Sequence, residues 1–154
     1  MANKIYLAYG SNLNIPQMGV RCPGARVIGT ATIEDYELLF KGSKTGSYLT
    51  IEPKAGASVP VAAWQVTEAD ERALDRYEGY PKFYYRKEME LPIKSIESGK
   101  VRRRRAFVYI MHEDRLLGMP SDVYMRICID GYKTFGFDTD LLQKAIEISR
   151  EALL

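Results

Sequence analysis

From Ala25 to Val66 the chain presents one β-type segment after another, Ala25–Thr32, Tyr36–Lys41, Tyr48–Glu52 and Val59–Val66, with only short stretches bearing Gly, Pro, Ser or Asp between them. No helix long enough to cross back over a sheet separates these segments. That rules against a βαβα alternation and so against a doubly wound parallel sheet. Before them, Lys4–Tyr9 reads as a buried strand ended by Gly10-Ser11-Asn12, and Asn14 and Pro16 are suited to cap and start a short helical turn. After them, Thr67 offers an N-cap with Asp70 three residues on. Ala73, Leu74 and Tyr77 follow at helical spacing until Gly79 and Pro81 stop the helix, which leaves Glu78 at its C-terminal edge. Tyr85–Ile93 alternates Met89, Leu91 and Ile93 with polar residues, and Val101–Met111 pairs with it across the turn Ser98-Gly99-Lys100. Pro120-Ser121 starts a helix with Tyr124, Ile127, Cys128 and Gly131 on one face. Asp138 or Thr139 caps a last one with Leu141, Leu142, Ala145, Ile146, Ser149, Ala152 and Leu153 inward. The expected fold is α+β, a curled mixed or antiparallel β-barrel flanked by helices, with residues 1–154 forming one domain.

Composition narrows the function classes. Of 154 residues, 46% are hydrophobic and 27% charged, and 22 basic against 20 acidic side chains give a net charge of +2. A balance so near zero carries no electrostatic footprint for nucleic acid. No apolar run reaches the ~18 residues that span a bilayer, and the first ten residues lack a signal-peptide core, so no membrane role is expected. Cys22 and Cys128 stand far apart with no CxxC, which fits a reduced, cytoplasmic protein without a zinc site or disulfide framework. His112 is the single histidine. It excludes a metal site built on several imidazoles, and its turn-like setting reads as a surface position. Neither GxGxxG nor a Walker sequence occurs, so no cofactor is expected.

Three groups of residues remain as candidates for chemistry. Gly10-Ser11-Asn12, where a buried strand gives way to a helical turn, aims successive backbone N–H groups at one point and suits a carboxylate or oxyanion; a simple capping turn fits the same residues. Glu78 lies at a helix C-terminus among Tyr77, Tyr80, Phe83, Tyr84 and Tyr85. Helix-end partial charge and aromatic burial both disfavour its ionised form and raise its pKa toward that of a general acid/base, unless it merely pairs with Arg76, Lys82 or Arg86 at the surface. Arg102 to Arg105 place four like charges on one strand. With Glu88 and Glu90 on the neighbouring strand, a solvated edge is a better reading than an RNA surface. Cys22 and Cys128 read as small buried apolar residues with nothing nearby to activate them.

Taken in chain order, Tyr9-Gly10-Ser11-Asn12-Leu13, Leu74-Asp75-Arg76-Tyr77-Glu78-Gly79-Tyr80-Pro81 with Tyr85-Arg86, Ala106-Phe107-Val108-Tyr109-Ile110-Met111 and Pro120-Ser121-Asp122-Val123-Tyr124 resemble the γ-glutamylcyclotransferase-like proteins. The resemblance spans most of the chain. It implies a small mixed β-barrel flanked by helices, with a ligand cavity in which Tyr9, Gly10, Ser11, Asn12 and Leu13 hold the substrate, Tyr85, Tyr109 and Tyr124 line the wall, and Glu78 transfers the proton. The implied reaction converts a γ-glutamyl amino acid or γ-glutamylamine to 5-oxoproline and a free amine. The substrate's own α-amine is the nucleophile, so no metal or cofactor is needed. A non-catalytic module binding a γ-glutamyl or carboxylate ligand on the same fold is the alternative. The expected partner is a small-molecule γ-glutamyl substrate, and the chain is expected to be a monomer or homodimer.

Overall fold

The computed structural model describes residues 3–43 and 46–154; Met1, Ala2, Lys44 and Thr45 lie outside it. The described residues form six strands, four α-helices and one 3-10 turn. In chain order these are β1 (Lys4–Ala8), the 3-10 turn Ser11–Leu13, α1 (Ile15–Arg21), β2 (Arg26–Ser43), β3 (Gly46–Val66), α2 (Glu68–Glu78), β4 (Tyr84–Ser95), β5 (Val101–Met111), β6 (Leu116–Leu117), α3 (Asp122–Phe135) and α4 (Asp140–Ala152).

The strands run β3-β1-β5-β4-β2, and β2 pairs back onto β3, which closes a five-stranded barrel; β6 adds to the outside of β2. The β1–β5 pair is parallel and the other pairings are antiparallel, so the barrel is mixed. Closure needs β2 and β4 to approach at Gly29, where a Cβ would stand 2.4 Å from the Lys94 carbonyl oxygen. Only a residue without a side chain fits there.

The four segments read between Ala25 and Val66 are two long bent strands. β2 continues through Glu34-Asp35-Tyr36, with its register shifted between Val27 and Gly29 and again between Glu34 and Tyr36. Asp35 takes a left-handed φ of 60°, and its carboxylate accepts the Gly56 N–H at 3.0 Å. The polar residues that look like a turn therefore make a bulge, which bends a strand without ending it.

The helix signals are realised through their caps. Asn14 accepts the Gln17 N–H at 3.2 Å and Ser121 accepts the Tyr124 N–H at 3.1 Å. Thr67 and Asp70 form a reciprocal capping box, with Asp70 N–H to Thr67 Oγ1 at 3.1 Å and Thr67 N–H to Asp70 Oδ2 at 3.0 Å. Thr67→Ala removes half of the box and is expected to lower unfolding free energy by about 1 kcal/mol, measured by urea denaturation. At α4 the cap is shared: Thr139 holds the N-cap position, but the side chain of Asp138 accepts the Asp140 N–H. Leu142, Ala145, Ile146 and Ser149 are buried, and Ser149 donates to the Phe40 carbonyl at 3.2 Å. Ala152 and Leu153, expected inward, are exposed because the helix runs past the surface of β2 that covers its first three turns.

Arg102 to Arg105 are all exposed, and Arg105 pairs with Glu88 on β4. No helix among the described residues is long and apolar enough to cross a membrane.

Candidate active site

Glu71, Asp75 and Glu78 recur at four- and three-residue spacing, which places them along one face of α2. That face is clamped to the sheet. Arg86 of β4 reaches Glu71 at 2.6 Å and Asp75 at 3.2 Å while its guanidinium lies 4.0 Å from the centroid of Phe107. The Tyr109 hydroxyl donates to the same Asp75 oxygen at 2.6 Å. Arg86 thus spends its charge on Glu71 and Asp75 and leaves Glu78 without it. Gly79, in the left-handed conformation, ends the helix immediately after Glu78.

Glu78 projects into a cavity of about 310 Å³, within the range of small-molecule sites, roughly 300–1,000 Å³. Among the described residues it is the sole acid on the wall, half-buried, with no ion pair or hydrogen bond to its carboxylate. Desolvation pushes its pKa up to about 8, against a smaller opposing pull from Arg21. The direction agrees with the sequence reading, and the alternative of a surface pair with Arg76, Lys82 or Arg86 is not realised.

The loop 10–13 contributes Gly10, Ser11 and Asn12 to the same cavity wall. The Leu13 N–H is taken by the Gly10 carbonyl at 3.0 Å and the Asn14 N–H by Ser11 at 3.0 Å. The N–H groups of Ser11 and Asn12, at the start of the 3-10 turn, have no such acceptor among the described residues and belong to residues on the cavity wall. Ser11 Oγ and the Tyr77 hydroxyl share a hydrogen bond at 3.1 Å, which ties the loop to the end of α2.

The structure brings Tyr9, Gly10, Ser11, Asn12, Glu78, Tyr109 and Tyr124 together around this cavity. Two residues expected there are elsewhere. Leu13 is fully buried behind the loop. Tyr85 faces away, donating to Glu113 at 2.5 Å and packing against His112. Strand alternation explains the second case. β4 and β5 pair without a bulge, Tyr84 opposite Met111 and Arg86 opposite Tyr109, so Tyr84 shares the face of Tyr109 and Tyr85 takes the other.

Tyr84, Tyr6, Tyr48 and Tyr77, all on the wall, were not singled out by the sequence. Tyr84 lies on the even-numbered face of β4 with Arg86, Glu88 and Glu90, away from Met89, Leu91 and Ile93, so alternation along the strand does not announce it. Tyr48 and Tyr77 reach the wall only through the folding together of β3 and α2. Burial holds the hydroxyls of Tyr6, Tyr9, Tyr84 and Tyr124 well above their ordinary pKa, with the charge of Glu78 adding to it. They are neutral and mostly engaged: Tyr9 donates to the Tyr109 carbonyl at 2.7 Å, Tyr84 to the Leu49 carbonyl at 2.8 Å, and Tyr124 accepts the Leu49 N–H at 3.1 Å. Burial also pushes Cys22 up to about 11 and Cys128 up to about 12, which leaves both poor nucleophiles. His112 sits apart from the cavity wall, its Nε2 2.7 Å from the Pro81 carbonyl oxygen.

The sequence profile of the γ-glutamyl cyclotransferase, AIG2-like family matches residues 6–126, which contain the loop, Glu78 and the wall tyrosines. The chain belongs to that family. Human γ-glutamylcyclotransferase is 28% identical over 148 residues, covering 91% of this chain and 76% of the human protein, and the bovine γ-glutamylcyclotransferase is 28% identical over 150 residues with the same coverage. A solved structure described as a γ-glutamyl cyclotransferase superposes with a TM-score of 0.75 at 24% identity, covering 93% of this chain and 86% of that one. A mouse AIG2-like protein superposes with a TM-score of 0.56 at 20% identity over 81% of this chain and 84% of its own. The fold of these cyclotransferase-family structures is therefore the fold described above, and family membership places the chain among cyclotransferase enzymes.

Proposed function

We propose that the chain converts a γ-glutamyl amino acid or γ-glutamylamine to 5-oxoproline and a free amine, with Glu78 carrying the proton. The observation that supports this most is the isolation of Glu78: one half-buried carboxylate, without ion pair or hydrogen bond among the described residues, facing an open aromatic cavity with its pKa raised to about 8. Such a group is of little use for stability. Its raised pKa stands far nearer than an ordinary carboxylate's to that of an amino-acid α-ammonium, which lowers the cost of proton exchange between the two.

In the reaction Glu78 as carboxylate takes a proton from the substrate's α-ammonium. The freed amine attacks the γ-carbonyl carbon and the new C–N bond closes a five-membered ring. Collapse of the tetrahedral intermediate breaks the original amide C–N bond while Glu78 gives its proton to the departing nitrogen, and the second proton shed by the ring nitrogen passes through Glu78 to the released amine, which leaves as an ammonium. Atoms and protons balance without water. The unpaired N–H groups of Ser11 and Asn12 suit the two anions present, the α-carboxylate and the developing γ-oxyanion. Holding the chain bent so that the amine faces the carbonyl converts a floppy cyclisation into an oriented one.

The test is to incubate the protein with a panel of γ-glutamyl amino acids and γ-glutamylamines and to measure 5-oxoproline and free amine together. Equimolar appearance of both is expected. Absence of turnover across the panel, accompanied by ligand-dependent thermal stabilisation, would replace the enzyme with a binding module.

A further inference from the structure

Just behind the cavity wall lies a guanidinium that takes no part in the proton transfer described above. Arg21, the last residue of α1, is half-buried and forms no ion pair among the described residues. It meets both halves of the site instead. One N–H donates to Oδ1 of Asn12 in the loop. The guanidinium carbon stands 3.5 Å from the centroid of the Tyr77 ring, the residue that precedes Glu78. It also donates to Gln17 Oε1 at 3.4 Å, one turn back on α1.

These contacts redefine Asn12. Its side chain is 2% exposed, its oxygen is occupied by Arg21, and its amide nitrogen donates to the Tyr6 hydroxyl at 2.9 Å. The side chain is therefore a strut, and what the loop offers a ligand is backbone. Tyr77 is fixed in the same way, its ring under Arg21 and its hydroxyl on Ser11. A planar fork that donates along its edge while stacking by its face makes both contacts at once, and a lysine ammonium does not.

We propose that Arg21 is a positioning residue for the reaction at Glu78: its guanidinium locks Asn12 of the loop and Tyr77 of α2 into one unit and sets a fixed positive charge at the end of α2 that carries the carboxylate. The proposal rests on the reading of Glu78 as the proton carrier. Around Glu78 the other titratable groups on the wall are the hydroxyls of Tyr6 on β1, Tyr9 after it, Tyr48 on β3, Tyr77 on α2, Tyr84 on β4, Tyr109 on β5 and Tyr124 on α3, and the guanidinium of Arg76 two residues earlier on α2. The charge of Arg21 opposes the desolvation of the carboxylate and favours the ionised form that begins the reaction.

Two variants separate the two parts of this role. Arg21→Gln keeps an N–H donor for Asn12 and removes the charge, and Arg21→Lys keeps the charge and removes the fork. Both are followed by the pH dependence of kcat/KM and by a ¹³C NMR titration of the Glu78 carboxyl. The NMR titration needs no substrate, so it distinguishes failure of this proposal from failure of the cyclotransferase reading. In Arg21→Gln the titration midpoint and the rising limb of the rate profile are expected to move up by roughly one pH unit. In Arg21→Lys the midpoint is expected to stay at the wild-type value while kcat falls about tenfold with KM nearly unchanged. A role confined to stability would lower the melting temperature of both variants and leave the midpoint and the kcat of the folded fraction alone, and that result overturns the proposal. If Arg21→Gln does not fold, Arg21→Lys decides alone: wild-type kcat in that variant overturns the fork.

Discussion

Replacement of Glu78 by Gln is expected to lower kcat by about 10²–10⁴-fold, the range by which a positioned general acid/base contributes, with KM changed little. Glutamine keeps the shape of the side chain and loses the ability to take and return a proton. Stability should move the other way. In the folded protein Glu78 titrates near 8, against an ordinary value of 4.5. Between those two pH values the folded state holds a proton that the unfolded chain has released, so the stability contributed by this group falls as pH rises through the window and is level on either side of it. The variant lacks that slope. Its melting temperature is therefore expected to exceed that of wild type at pH 8 and to converge on it at pH 5, and a thermal-shift series across this range checks it. The same titration makes wild-type kcat/KM climb with pH toward about 8, since the carboxylate is the form that accepts the first proton. Loss of activity together with gain of stability is the mark of a group held against its own preference. A Glu78 that served the fold would lose both on substitution.

The second large effect is expected at Gly131, on the face of α3 that meets the loop. A Cβ there would stand 2.7 Å from the Leu13 carbonyl carbon and from Leu13 Cβ, and 2.9 Å from the Asn14 nitrogen. Two of those three atoms are backbone, so no side-chain rotation relieves the clash. Gly131→Ala forces α3 and the loop apart. The expected loss is about 1–3 kcal/mol of unfolding free energy, typical of overpacking in a filled interior. Because the displaced backbone is the stretch that follows Ser11 and Asn12, kcat/KM is expected to fall beyond what the unfolded fraction explains. Urea denaturation and steady-state kinetics on the same preparation separate the two losses.

The parts of this molecule that could be read from the residues are those fixed by local rules. Thr67 with Asp70 announces the start of α2 and Gly79 its end, and between them the helical spacing sets Glu78 on the last turn beside a run of aromatic rings. Those facts alone single out one carboxylate from the rest. The Gly10-Ser11-Asn12 turn is readable for the same reason, since a strand that ends in such a turn leaves N–H groups without partners. The barrel follows from segments that offer no crossover helix. What escaped the sequence depends on which segments meet. Asp35 looks like a turn residue and makes a bulge, because the long pairing with β3 continues on both sides of it. Tyr85 stands beside Tyr84 in the sequence, and the pairing with β5 decides which of them faces the cavity. Leu13 belongs to the loop by position and to the interior by packing against α3. Arg21, more than fifty residues before Glu78, comes near it because α1 and α2 lie side by side, and nothing in the residues flanking Arg21 announces that.

The central claim is that ring closure by the substrate's own amine, with Glu78 moving the proton, releases the leaving group without water. Running the reaction in H₂¹⁸O and weighing the products by mass spectrometry tests it directly. Wild-type protein is expected to yield unlabelled 5-oxoproline and an equal amount of free amine, and Glu78→Gln, folded to the same extent, to yield almost none. Glutamate carrying ¹⁸O, or 5-oxoproline formed by Glu78→Gln at the wild-type rate, would contradict the account.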